Sequence, residues 1–131
     1  MKLIKTIMVC SCTLLIHANA SAADAFYTAH IDASGKILSQ SPKWVTHVTK
    51  EAQADYFSQY KLTLDPKAVK KDPAFCSVSP IDASNYDRML HGQAKVIGLP
   101  LARNVTVQTQ LVDVRGASGD NSLEFLIMCT R

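Results

Sequence analysis

Several signatures of chemistry are missing from this 131-residue chain. There is no C-x-x-C and no Cys/His ligand spacing, so the usual dithiol-redox and zinc frames are absent. There is no G-x-S-x-G elbow for an activated serine. There is no glycine-rich phosphate loop and no EF-hand pattern. No internal repeat or low-complexity tract interrupts the chain. No apolar run reaches the roughly 18 residues that a membrane-spanning helix needs. These absences predict no cofactor and no bound metal, and they point away from catalysis.

A large excess of one charge is missing too. The formal net charge is +3, from 14 Lys and Arg against 11 Asp and Glu. Two of those bases, Lys2 and Lys5, stand at the start of a three-part leader. An apolar run follows from Ile7 to Ile16. It ends in the small residues Ala18-Asn19-Ala20 and Ala20-Ser21-Ala22, two overlapping A-x-A cleavage sites. That order predicts a secretory signal peptide over residues 1–22 and a single domain over residues 23–131. Without the leader, 12 bases face 11 acids, a net charge of +1. Lys67, Lys70 and Lys71 cluster between Asp65 and Asp72, as a solvated loop would. No nucleic-acid partner is expected, and no membrane anchor survives cleavage. The expected address is the periplasm, the cell surface or the medium.

Four cysteines occur in the chain. Cys10 and Cys12 fall in the leader, which leaves Cys76 and Cys129. In an oxidising compartment that pair is expected to form a disulfide. By the chain-entropy relation, a loop of 53 positions contributes about 4 kcal/mol.

The hydrophobic pattern has period two far more often than 3.6. It predicts strands over residues 26–31, 36–40, 44–49, 56–64, 74–79, 89–97, 103–114 and 123–130. Asp32-Ala33-Ser34-Gly35 reads as a turn, residues 66–71 as a brief helical turn, and residues 80–86 and 115–121 as loops. Gly92 reads as a bulge inside its strand. Trp44, Thr46 and Val48 should share one face, as should Tyr56, Ser58, Tyr60, Leu62 and Leu64. About eight short strands with one wet and one apolar face predict an all-β antiparallel sandwich of jelly-roll-like form. Cys76 falls on the face of Val78, and Cys129 on that of Phe125 and Ile127. The bond should therefore lie in or beside the core, with the last strand near residues 74–79.

Candidate site residues are few. His30 and Asp32 would share a strand face as two metal ligands might, but no third ligand can be placed beside them. His47 reads as solvated. His91, before Gly92, and Arg88 adjoin Tyr86 in the segment Asn85-Tyr86-Asp87-Arg88. A loop aromatic among hydrogen-bonding groups makes Tyr86, Arg88 and His91 the candidate ligand contacts. Trp44, Tyr56 and Tyr60 fit core faces better than a sugar-stacking platform. Glu124 reads as an outward-facing strand residue.

The order of the motifs adds a likeness. Ser41-Pro42-Lys43-Trp44-Val45, Tyr60-Lys61-Leu62-Thr63-Leu64 and Pro73-Ala74-Phe75-Cys76-Ser77-Val78 come first. Residues 104–109, starting Asn104-Val105-Thr106, and residues 120–129, ending Met128-Cys129, follow. The series resembles the β-rich C-terminal head domains of bacterial and phage fibre, pilus-tip and surface proteins, which have a jelly-roll form similar to complement C1q heads. The resemblance implies a non-catalytic sandwich, often a homotrimer, that binds a surface ligand. Fibre heads usually follow a long repetitive shaft, whereas here the domain follows the leader directly.

Two functional readings come out of this. One is a secreted or periplasmic binding protein that recognises a glycan or protein surface. The other is a small periplasmic inhibitor or immunity-type protein that caps a partner enzyme. A hydrolase would require a fold that brings His30, His47 or His91 within hydrogen-bond reach of an acid in a cleft.

Overall fold

The computed structural model describes residues 25–113, 116–117 and 119–131. The expected leader, residues 1–22 with Cys10 and Cys12, lies outside the described residues. Nine strands and one short helix follow in order: β1 Phe26–Ile31, β2 Ile37–Ser41, β3 Val45–Gln53, β4 Phe57–Leu64, β5 Cys76–Pro80, α1 Tyr86–His91, β6 Gly92–Leu101, β7 Asn104–Asp113, β8 Gly116–Ala117 and β9 Phe125–Thr130. One sheet has the order β2-β1-β9-β5. The other has the order β3-β4-β7-β6, with β8 appended to β7. Every pairing is antiparallel. The protein is an all-β sandwich.

Alternation builds the core. β1 turns Tyr27, Ala29 and Ile31 inward, and β9 turns Phe125, Ile127 and Cys129. They meet Tyr60, Leu62 and Leu64 of β4 and Val105 and Val107 of β7 in a single buried cluster. Each large side chain buried there contributes about 1.5–3 kcal/mol. Tyr60 meets Phe125 edge-on across the two sheets, with ring centroids 5.1 Å apart. The Tyr60 hydroxyl donates to the Ala33 carbonyl at 2.8 Å, so the polar tip of a fully buried ring keeps a partner.

The β1–β2 turn is the one expected. Asp32 Oδ1 accepts from the backbone N–H groups of Ser34 and Lys36 and from the Ser34 hydroxyl. Gly35 takes a φ of +92°, where a side chain would be strained. The helical turn after Pro66 is also present. Ala68 and Val69 N–H both donate to the Asp65 carbonyl.

Three expectations are corrected. The strand expected over residues 89–97 is shared between α1 and β6. Asn85 caps α1 by accepting from Arg88 N–H at 3.0 Å, and Gly92 ends it. Gly92 is thus no bulge. A Cβ there would stand 2.4 Å from the Arg88 carbonyl oxygen. The second correction concerns Trp44, Thr46 and Val48. A register shift between Val45 and His47 sends both Trp44 and Val45 into the core and leaves Thr46 exposed. Gln40 holds that corner, since its Oε1 accepts from the N–H of Trp44 and of Val45, each at 2.8 Å. The third is Tyr56, which is 63% exposed. It sits in the β3–β4 turn after Asp55, whose φ is +65°, and so precedes the alternation that buries Tyr60.

Cys76 and Cys129 form a disulfide between register partners on β5 and β9. Cys129 is buried and Cys76 half-buried at the sheet edge. The bond therefore staples an edge strand to its neighbour, beside the core as expected.

Candidate functional site

The outer face of the β2-β1-β9-β5 sheet carries exposed apolar side chains in its middle. On β9 the inward residues are apolar, and so are two of the three outward ones, Thr130 being the exception. Leu126 is 45% exposed and Met128 39%. An antiparallel strand with one wet face normally alternates apolar and polar residues. β9 does not.

The register sets the neighbours of these two side chains. Met128 faces Thr28 of β1 on one side and Ser77 of β5 on the other. Leu126 faces His30 and Ser79 in the same way. One strand further out, Ser41 pairs with Thr28 and Ser39 with His30. Two rows result, each with one apolar side chain between polar ones. Together they line a shallow concavity of about 470 Å³. Among these outward residues His30 alone is ionisable.

His30 has a partner. Its Nε2 lies 2.5 Å from Glu124 Oε1, at the end of the face where the chain enters β9. The backbone holds Glu124 in place. Its carbonyl accepts from Ile81 N–H at 2.9 Å, and its N–H donates to Asp82 Oδ2 at 3.4 Å. Glu124 is thus more than an outward-facing strand residue. The hydrogen-bond reach between a histidine and an acid that a hydrolase would require is present here, beside a concavity. Asp32 takes no part, because its carboxylate is spent on the β1–β2 turn. Among the described residues no cluster of three His, Cys, Asp or Glu side chains could hold a metal ion.

Tyr86, Arg88 and His91 all lie on α1, which does not line the concavity. Tyr86 is its first residue and 71% exposed. His91 is its last and half-buried. Arg88 points the other way. Its guanidinium donates to Asp82 Oδ2 at 3.3 Å, to the Ser122 carbonyl, and to the Asp120 carbonyl at 3.2 Å. Only 14% of the side chain is exposed. Arg88 therefore ties α1 and the loop before it to the chain entering β9. Burial works against the Asp82 anion. The Ser84 hydroxyl, the N–H groups of Ser84 and Glu124, and Arg88 outweigh it and hold the carboxyl below its ordinary value. Asp120 is lowered first by the Ser122 hydroxyl, with burial opposing and Arg88 assisting.

Two aromatic residues, Phe26 and Phe75, are exposed on either side of Thr130 at the far end of β9. Trp44, Tyr27 and Tyr60 belong to the core, while Tyr56 and Tyr86 are exposed, on the β3–β4 turn and on α1. Leu126, Met128, Ser77 and Ser79 were not singled out by motif. The signal that could have found them is the unbroken apolar run Phe125-Leu126-Ile127-Met128-Cys129. No protein-family model, curated protein or solved structure matches the chain.

Proposed function

We propose that the protein is an exported, non-catalytic binding module that holds a protein partner against the outer face of the β2-β1-β9-β5 sheet. The observation that carries this reading is the exposure of Leu126 and Met128 on a face whose ionisable groups, His30 and Glu124, are paired with each other at one end. Depletion of charge around exposed apolar groups is characteristic of the centre of an interface. A glycan partner fits less well, because no aromatic ring lines the concavity itself. The inhibitor or immunity reading uses the same face and adds a single, tight, stoichiometric partner. A fibre-head role would add a homotrimer.

The test is co-purification from the periplasm of wild-type protein and of the Leu126→Asp/Met128→Lys variant. A partner retained by the wild type and lost by the variant, with the variant folded, supports the reading. Equal retention by both removes it.

The His30–Glu124 contact favours a second reading, a hydrolase, with Ser39 as the hydroxyl across the strand from His30. Labelling with a fluorophosphonate separates the two. Modification of Ser39 that is lost in His30→Ala supports hydrolysis, and an unlabelled protein removes it.

A further inference from the structure

Resting on the binding reading above, we infer that the occupant of this face is an uncharged, extended polypeptide segment of a few residues, laid along β9.

Size is the first argument. The sheet is four strands wide, and its shared rows run about five residues. At about 4.8 Å between strands and 3.4 Å per residue, the face is roughly 19 by 17 Å, or about 320 Å². A stable protein interface takes about 800 Å² from each partner. A second copy seated on this face alone falls well short. The shallow concavity of about 470 Å³ is of a size to seat a short segment.

Charge is the second. The one ionisable group on the face, His30, already has Glu124 at 2.5 Å. A charged side chain pressed between Leu126 and Met128 would lose water and find no counter-ion.

Spacing is the third, and it decides between a peptide and an acyl chain. Ser77 and Ser79 on β5, and Ser39 and Ser41 on β2, recur every second residue on either side of the apolar pair. That repeat is about 6.8 Å along the strand. The N–H and C=O groups on one edge of an extended peptide recur at the same distance. Among the described residues, the hydroxyls of Ser39, Ser77 and Ser79 make no internal hydrogen bond. A peptide gives them donors and acceptors in register. An acyl chain would cover them and leave them unpaired.

The experiment is an NMR titration of the mature protein with three probes: a capped peptide of alternating threonine and valine, the same peptide with lysine for threonine, and a monoacylglycerol. The expected result is saturable binding of the neutral peptide, at least ten-fold tighter than the lysine peptide. It should shift the Leu126 and Met128 methyls and the Ser77 and Ser79 amides. Ser77→Ala/Ser79→Ala should weaken it at least ten-fold with the rest of the spectrum unchanged, and Leu126→Asp should abolish it. Peptide binding that is indifferent to the serine variant overturns the inference. So does binding of the monoacylglycerol but of neither peptide, although the face would still be a binding surface. If no probe binds and the co-purified partner ignores Leu126→Asp, the inference and the binding reading fall together.

Discussion

Cys76 stands directly opposite Cys129 across the β5–β9 ladder, with 4.1 Å between their Cα atoms. The bond joins an edge strand to the strand that carries Leu126 and Met128. β5 has five residues and pairs within its sheet only with β9. The covalent link therefore makes up for a short ladder. Replacing both cysteines with alanine should lower stability by about 4 kcal/mol, the loop-closure term for 53 positions. Denaturant unfolding of the variant against the oxidised wild type measures this. A loss under 1 kcal/mol would mean that β5 is held by packing alone.

The disulfide, the sandwich and the inward faces of β1, β4, β7 and β9 were legible because each follows from a local rule. Alternation marks the face, and it places Cys76 and Cys129 on inward faces of their strands. What was not legible depends on long-range contacts. The shift at Val45 and His47 buries two consecutive residues, and it is held by the Gln40 side chain from the neighbouring strand. The segment around Tyr86 contains a sound helix start, Asn85, and a glycine stop, Gly92, but with only six residues between them it looks like a loop. Arg88 reads as a ligand contact in the sequence, but Asp82 and Asp120, at different distances along the chain, close around it. The contact of His30 with Glu124 spans 94 positions and has no local signature.

Gly92→Ala tests the end of α1. The added methyl would lie 2.4 Å from the Arg88 carbonyl oxygen and 3.2 Å from a Leu123 methyl. The backbone between α1 and β6 must shift. A loss of about 1–3 kcal/mol is expected, as for overpacking at other tight sites. Gly92 has an ordinary φ of −67°, so the loss would come from the clash and not from backbone strain. A thermal unfolding midpoint for Gly92→Ala equal to that of the wild type would remove the steric account.

Trp44 is the chain's single tryptophan, and it is fully buried beside Tyr27 at a centroid distance of 5.3 Å. Its indole N–H donates to the Thr28 carbonyl at 2.8 Å. Fluorescence should therefore be blue-shifted in the native state and move red on unfolding, which reports the core directly. Trp44→Phe keeps most of the packing but removes that hydrogen bond, at a cost of about 0.5–1.5 kcal/mol. Trp44→Ala should cost about 3–5 kcal/mol. Native emission at the wavelength of a solvated indole would contradict this placement.

Arg88→Met tests the join between α1 and the chain entering β9. Asp82 has a side chain only 7% exposed and would lose its cation, while the Ser122 and Asp120 carbonyls would lose a donor. The expected loss is on the order of 2–3 kcal/mol, because removing one member leaves the other charge buried. Adding Asp82→Asn should restore part of it, since the neutral amide needs no cation. No recovery in the double variant would show that Arg88 acts through the two carbonyls rather than through Asp82.

Acid sensitivity should concentrate at three carboxylates, two of them at the same join. Asp32, Asp82 and Asp120 all have folded values below the ordinary 3.8. For Asp32 and Asp82 burial acts upward, and hydrogen bonds from Ser34 and Ser84 respectively, with nearby backbone N–H groups, outweigh it. The unfolded chain returns each group to its ordinary value and so binds protons more readily than the folded one. Stability from these carboxylates is therefore complete above about pH 5 and is lost as pH falls through the folded values, below 3.8. Urea midpoints measured from pH 6 down to pH 2 should hold level and then drop steeply. Asp82→Asn should lower the plateau and shallow the drop, because its hydrogen bonds no longer depend on an ionised oxygen. A variant whose midpoint falls as steeply as that of the wild type would place the acid sensitivity at other carboxyls.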